Sequence, residues 1–235
     1  MNPITVFILA GGLGTRLQSV VDDVPKPMAP IQGRPFLDYL INHVRVYFAE
    51  ASVYLLTHHL SEYIEDYYAA DPLIHIIKEP ARLGTGGAIR YAVDQTNLHR
   101  SPLLVMNGDT YHTLHLANFV ESGLDHIVTI GTVSVQDCSR YGSLVIKDGC
   151  VCQFVEKQPQ PVPGTINLGA YMIPSFDALT DCPEGVFSFE QCLETWAQNG
   201  VSIGAYSYDG PFIDIGVPED YQKMNDFACS MSTEI

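Results

Sequence analysis

VFILAGGLGTRLQSVVDDVPKPMAPIQGR, residues 6–34, decides how this 235-residue chain is to be read. An apolar, β-branched run breaks into GGLGTR and is followed by PKP at 25–27, the order of a buried strand, a tight loop and a stiffened second loop. Gly11, Gly12 and Gly14 tolerate positive φ and put no Cβ in a ligand's way, so consecutive amide N–H groups can point at phosphate oxygens. Arg16 adds a fork of fixed donors. Lys26, held between Pro25 and Pro27, adds a mobile point charge on a stiff loop. Two anion binders on one glycine-rich loop are hard to explain as structure alone.

Other phosphate loops fail on spacing. A Walker A loop requires GxxxxGK[ST], and no lysine follows these glycines at that distance; a dinucleotide fingerprint requires GxGxxG, and Leu17 holds its third position. Outward from the loop, strand and helix signals alternate. Residues 4–10 read as a strand; Leu37, Leu40, Ile41, Val44 and Phe48 keep helical spacing behind Pro35; 52–57 reads as strand and 60–68 as helix. Short apolar runs at 73–78 and 103–106 flank a helical candidate over 87–93. Such alternation implies βαβ units and a mixed, mainly parallel sheet flanked by helices, with ligands at the carboxyl ends of strands. GGLGTR and NGD, at 107–109, both fall there.

After Ile127 the texture changes. IVTIGTVSV, SLVIKDG, CVCQFVEK and TINLGAYMI are strand-rich and separated by Asp148 and Gly149 or by the prolines of 159–163, a pattern of antiparallel hairpins in a smaller lobe. Helical patterns return near 188–198 and 219–227. No linker, repeat or low-complexity run divides the chain. The expectation is one α/β domain over 1–235, with a part carrying both glycine turns over about 1–125, a strand-rich lobe over about 126–210 and a C-terminal helix over about 217–229.

Composition narrows the partners. With 46% hydrophobic residues the chain can bury a sizeable core. A formal net charge of −15, from 12 Lys+Arg against 27 Asp+Glu, argues against nucleic acid and against an anionic membrane surface. Anionic substrates then require cations concentrated locally, and Arg16, Lys26, Arg34, Arg82, Arg90, Arg140 and Lys157 all fall in or beside the motifs. The six cysteines, Cys138, Cys150, Cys152, Cys182, Cys192 and Cys229, show no CxxC spacing and read as small core residues in a reducing compartment. His58, His59, His75, His112 and His115 form no HExxH or comparable set and read as surface or core polar residues. No basic segment precedes the first apolar run, and no stretch approaches about 18 apolar residues, so a soluble cytoplasmic protein is expected.

GGLGTRL followed by PKPM closely resembles the signature of the sugar-1-phosphate nucleotidyltransferases, which join a nucleoside triphosphate to a sugar 1-phosphate and release pyrophosphate. The resemblance runs from residue 4 to about residue 225 and implies a Rossmann-like nucleotidyltransferase fold with a sugar-binding lobe. It implies that Leu9, Ala10, Gly11, Gly12, Gly14, Thr15 and Arg16 bind the nucleotide, with Arg16 and Lys26 catalytic. The second glycine turn, RLGTGGAI at 82–89, would border base and ribose through Gly84, Thr85, Gly86 and Gly87, the glycines letting the base lie against backbone. Asp109, in LLVMNGDTY, and Asp214, in FIDIGVPEDY, would each be a turn or cap residue if read alone; the resemblance makes them the ligands of Mg²⁺. It further places Glu156 on sugar hydroxyls, Lys157 on the sugar phosphate, Asn167 on the sugar ring, and Gly142 where the sugar approaches the backbone.

LGTGGAI, NGDTY, SRYGS, INLGAYM, FSFE and FIDIGVPEDY together look most like the D-glycero-α-D-manno-heptose 1-phosphate guanylyltransferases of bacterial surface-polysaccharide pathways. Many thymidylyl- and cytidylyltransferases have Pro where this chain has Ser19, whereas His112 stands where the heptose subfamily usually shows an aromatic residue. A mannose 1-phosphate guanylyltransferase and an N-acetylmuramate 1-phosphate uridylyltransferase are the alternatives of the same class. A nucleotide-sugar-binding regulator is the alternative of another, and the joint presence of Arg16, Lys26, Asp109 and Asp214 argues against it. Self-association of copies is compatible with every one of these readings.

Overall fold

The computed structural model describes residues 4–232 apart from 13, 15, 18, 19, 22, 180 and 181. Its frame is a nine-stranded sheet in the order β5-β4-β1-β6-β11-β8-β12-β10-β9. The first half of the sheet is parallel: β1 (Thr5–Leu9), β4 (Val53–Thr57), β5 (Ile74–Lys78) and β6 (Leu103–Asn107). Between them run α1 (Phe36–Tyr47), α2 (Ser61–Tyr68) and α3 (Gly84–Thr96). The short β2 (Pro30–Ile31) and β3 (Arg34–Pro35) form a hairpin ahead of α1.

Alternate residues of the parallel strands feed opposite faces, as strands covered on both sides must. Val6, Ile8, Leu104 and Met106 pack with α1, α2 and with α4 (Leu116–Ser122) and α6 (Pro218–Ser232). Phe7, Leu103 and Val105 pack with α3 and α5 (Phe189–Gln198) on the other side. The expected helix over 87–93 begins three residues earlier, at Gly84. Glycine costs about 1 kcal/mol per position relative to Ala in a helix, so the sequence gives a turn there. The Phe187 carbonyl takes the N–H groups of Gly86 and Gly87 at 3.1 and 3.4 Å, and burial of Ile89, Ala92 and Val93 offsets the rest.

The second half of the sheet is joined antiparallel. β11 (Gly164–Ile173) pairs with β6 on one side and with β8 (Val128–Val135) on the other. TINLGAYMI therefore runs through the middle of the sheet rather than forming a hairpin in a lobe, since apolar alternation specifies two faces but not the neighbouring strand. β12 (Ile203–Tyr208) continues parallel to β8. A tight hairpin closes the far edge, β9 (Ser143–Lys147) to β10 (Cys150–Val155), through Asp148 and Gly149, both at positive φ. Of the cysteines, Cys138, Cys182 and Cys192 are buried, but Cys152 and Cys229 are exposed, so the core reading holds for only part of the set.

A small ribbon stands apart from the main sheet. β7 (Thr110–His112) pairs antiparallel with β13 (Phe212–Asp214), Asp214 opposite Thr110, and Ile215 N–H donates to Asp109 O at 3.0 Å.

Candidate active site

The first half of the candidate site, where nucleotide binding was expected, grows out of β1. Ala10 is buried and its N–H still pairs with Leu56 O at 2.8 Å, so the glycine loop leaves the sheet from a fixed point. Leu9, Gly11 and Gly12 line a cleft together with Gly84, Thr85, Asn107 and Asp109. Gly14 has φ +60°, and a Cβ there would stand 2.8 Å from Lys26 Cβ, so this glycine lets the lysine loop close against the cradle. Thr15 lies outside the described residues, and Arg16 is exposed in the turn that follows it.

The second glycine turn divides by face. Gly84 and Thr85 border the nucleotide cleft. Gly86 and Gly87 do not: the room their missing side chains leave is taken by the Phe187 ring and by Gly185 O. At these two positions the side a Cβ would occupy is turned to the loop before α5.

The same cleft contains Glu79, which no motif singles out. It is buried, its Oε2 accepts the Leu83 N–H at 3.1 Å, and its Oε1 faces Gly11, where a Cβ would come within 2.8 Å. Burial pushes its carboxyl up from the usual range. A sequence signal exists: Glu79 directly follows the strand run IHIIK, much as Asp109 follows LLVMN. A carboxylate repels phosphate, so at this place in the cleft Glu79 suits a donor-bearing end of a ligand rather than its phosphates.

The ribbon brings together the two aspartates expected to act as a pair. Lys26 Nζ lies 2.7 Å from Asp109 Oδ2 and 3.6 Å from Asp214 Oδ1. The lysine side chain is only 10% exposed, so it is pinned rather than mobile as the sequence suggested. Asp109 Oδ1 accepts from Thr110 Oγ1 at 3.2 Å and Asp214 Oδ1 from Gly216 N–H at 2.8 Å. Burial, then the charge of Asp109, push the Asp214 carboxyl up despite Lys26. Asp214 stays raised although Lys26 and Arg140 both face it, so the two carboxylates can still take up the charge of a shared divalent cation. No group of three or more His, Cys, Asp or Glu that could hold a metal occurs among the described residues. A hard cation such as Mg²⁺, which commonly takes one or two carboxylates plus water and phosphate oxygens, fits this donor set.

Not every local cation is available to a ligand. Arg140 pairs with Asp220, approaches Asp214 Oδ2 at 3.5 Å and stacks 5.1 Å from the Tyr141 ring centroid. Arg90 donates to Cys182 O at 2.9 Å and faces Glu184. Both are held by the fold; the cations that line the clefts are Arg82 in the first and Lys157 in the second, with Lys26 held between the two aspartates.

The residues expected to meet the sugar lie beyond β11. Gly142, Glu156, Lys157 and Asn167 line one cleft with Tyr141. Gly142 needs its φ of +75°, and a Cβ would stand 2.7 Å from Val155 O, so the chain turns tightly there to enter β9. The Tyr141 phenol, pushed up to about 12 by burial and by Asp214, stays protonated and offers a donor at the cleft. Asn167 is aimed by a bulge: the β11–β8 register shifts between Asn167 and Tyr171, with Gly169 at φ +79°. Gly169 N–H donates to Asn167 Oδ1 at 2.9 Å. The cleft's remaining wall is α5, through Glu190, Gln191 and Glu194, which the sequence reading did not select.

Residues 5–231 match the sequence model of a family described as nucleotidyl transferase. A D-glycero-alpha-D-manno-heptose 1-phosphate guanylyltransferase from Aneurinibacillus thermoaerophilus is 36% identical over 225 residues, covering 92% of this chain and 95% of that protein. The protein of the same description from Campylobacter jejuni is 32% identical over 220 residues, covering 92% and 96%. Among solved structures, HddC from Yersinia pseudotuberculosis complexed with GMP-PN is similar with a TM-score of 0.81 at 40% identity, over 95% of this chain and 98% of that one.

Proposed function

We propose that this chain, which belongs to the nucleotidyl transferase family, moves GMP from GTP to D-glycero-α-D-manno-heptose 1-phosphate, giving the GDP-sugar and pyrophosphate. The observation that carries the guanine assignment is the buried Glu79 carboxylate in the nucleotide cleft. Guanine presents adjacent N1–H and N2–H donors, which suit two acceptor oxygens; uracil and thymine present a single N3–H between two carbonyls. The sugar assignment is carried over from the two guanylyltransferase relatives, which match along nearly their whole length.

In the reaction an oxygen of the sugar phosphate attacks the α-phosphorus, the bond to the bridging oxygen breaks, and pyrophosphate leaves with that electron pair. No protein nucleophile is needed, so positioning and charge neutralisation are the main tasks. Amides of the Gly11–Gly12 loop and the side chains of Arg16 and Lys26 hold the nucleotide phosphates, and Lys157 holds the sugar phosphate. Glu156 and Asn167 orient the sugar through its hydroxyls and ring. Asp109 and Asp214 would hold Mg²⁺, which supplies positive charge for both phosphates when bound. Lys26 keeps its place between those two carboxylates, and its ammonium has donors left for phosphate oxygens.

Pyrophosphate release across the common nucleoside triphosphates and a panel of sugar 1-phosphates tests this. GTP with the manno-configured heptose 1-phosphate is expected to give the highest kcat/KM, and Glu79→Gln to cut the preference for GTP over UTP by about tenfold, some 1.4 kcal/mol. A wild-type preference for UTP or dTTP by that margin overturns the guanylyl assignment. Absence of pyrophosphate with every pair would make the chain a binder.

A further inference from the structure

A hydrogen-bonded chain crosses from the nucleotide loop to the sugar cleft, and its donors and acceptors can be assigned from both ends. At the nucleotide end Phe189 N–H donates to Thr85 Oγ1 at 2.8 Å. The threonine proton must then go elsewhere, and it goes to Glu190 Oε2 at 2.8 Å, where Ser188 Oγ also donates at 2.7 Å. At the sugar end Gly169 N–H fixes Asn167 Oδ1, so the amide is turned with Nδ2 toward Tyr171, donating to its phenol oxygen at 2.7 Å. The phenol proton passes to Glu190 Oε1 at 3.0 Å. Tyr171 is fully buried, and burial raises its phenol well above the ordinary value, so it remains a donor.

Three hydroxyl donors therefore converge on one side chain, and both of its oxygens must accept. A carboxylate meets that demand. A glutamine does not, because whichever way its amide turns, an NH₂ group faces a hydroxyl that is already donating toward it. Thr85 borders the nucleotide cleft, whereas Asn167 and Glu190 border the sugar cleft.

We propose that Glu190 is a positioning residue shared by the two substrate sites: it holds Thr85 in place at the nucleotide and, through Tyr171, holds Asn167 in place at the sugar. The identity of the two substrates rests on the function proposed above. None of these hydrogen bonds is made to Lys26, Asp109 or Asp214, so loss of the network acts on substrate affinity more than on turnover. Each arm has its own severing variant, Thr85→Ala on one side and Tyr171→Phe on the other.

The experiment measures kcat and both KM values for wild type, Glu190→Gln, Thr85→Ala and Tyr171→Phe, using the best nucleotide and sugar 1-phosphate pair that wild type turns over. Glu190→Gln is expected to raise both KM values about fivefold or more, the cost of roughly one misplaced hydrogen bond. Thr85→Ala should raise the nucleotide KM alone and Tyr171→Phe the sugar phosphate KM alone. A variant merely misfolded in part would lose kcat with both KM values unchanged, and that result overturns the proposal, as does a Glu190→Gln effect confined to one substrate. Titration calorimetry of GTP and of each sugar 1-phosphate with wild type and Glu190→Gln gives a second reading that needs no turnover; unchanged affinities overturn the proposal. If the best sugar is not the heptose, the substrate assignment fails while the pattern of KM values is still read.

Discussion

Lys26 sits between two carboxylates that would otherwise repel each other, which gives its removal two separable effects. Lys26→Ala should lower turnover by about a hundredfold or more, because an ammonium aimed at developing phosphate charge acts mostly in the transition state. It should also destabilise the protein in chelator by roughly 1–3 kcal/mol, below the value for a fully buried pair because the Asp109 side chain is 38% exposed. Added Mg²⁺ should return most of that stability, the metal standing in for the ammonium. Urea unfolding with and without Mg²⁺ reads this, with Lys147→Ala, at the exposed end of β9, as control. A stability loss that Mg²⁺ leaves untouched would show that Asp109 and Asp214 do not share a cation.

Among the elements, the bulge in β11 connects backbone conformation most directly to the site. Gly169→Ala places a Cβ at φ +79° and 2.6 Å from Asn107 Nδ2. The strain is about 1–2 kcal/mol, and the clash displaces the strand segment that aims Asn167. We expect kcat/KM for the sugar phosphate to fall at least about tenfold. Gly149→Ala, at φ +75° on the open β9–β10 turn with nothing near its Cβ, should show similar strain and ordinary activity. Equal kinetic losses in the two variants would assign the effect to stability. The two elements also mark how far the sequence could be read. β1 and its glycine loop were legible because a β-branched run, glycines and a spaced PKP each demand one local conformation. The first turn of α3 was not, since Gly84 and Gly86 disfavour helix locally and it takes the distant Phe187 carbonyl, with burial of the helix's apolar face, to form it. Nor was Glu190, whose role depends on hydroxyls 105 and 19 positions away in the chain.

For the molecule as a whole, acid stability is set in part by one histidine at the ribbon. His112 is 1% exposed with no hydrogen-bond partner for Nδ1, and burial, then the charge of His43, pull it down to about 3. Unfolded, it protonates near 6.5. The folded protein therefore has its full stability above that value and loses it as the pH falls toward 3, because only the unfolded chain takes the proton. Between pH 7 and pH 5 this group alone removes about 2 kcal/mol. His112→Phe should abolish that share, visible as a shallower fall in urea midpoint; identical slopes in both proteins would place the acid sensitivity elsewhere. The division of the site has a separate consequence. The cleft assigned above to the nucleotide is lined by residues between Leu9 and Asp109 and the one assigned to the sugar by residues between Tyr141 and Glu194, on different stretches of chain. In descent, such a scaffold can exchange its sugar while keeping its nucleotide, by substitutions in the later stretch alone. Glu190 is the exception: on the proposed network a mutation there loosens both sites at once, so a lineage that drifts at this position must repair two affinities together.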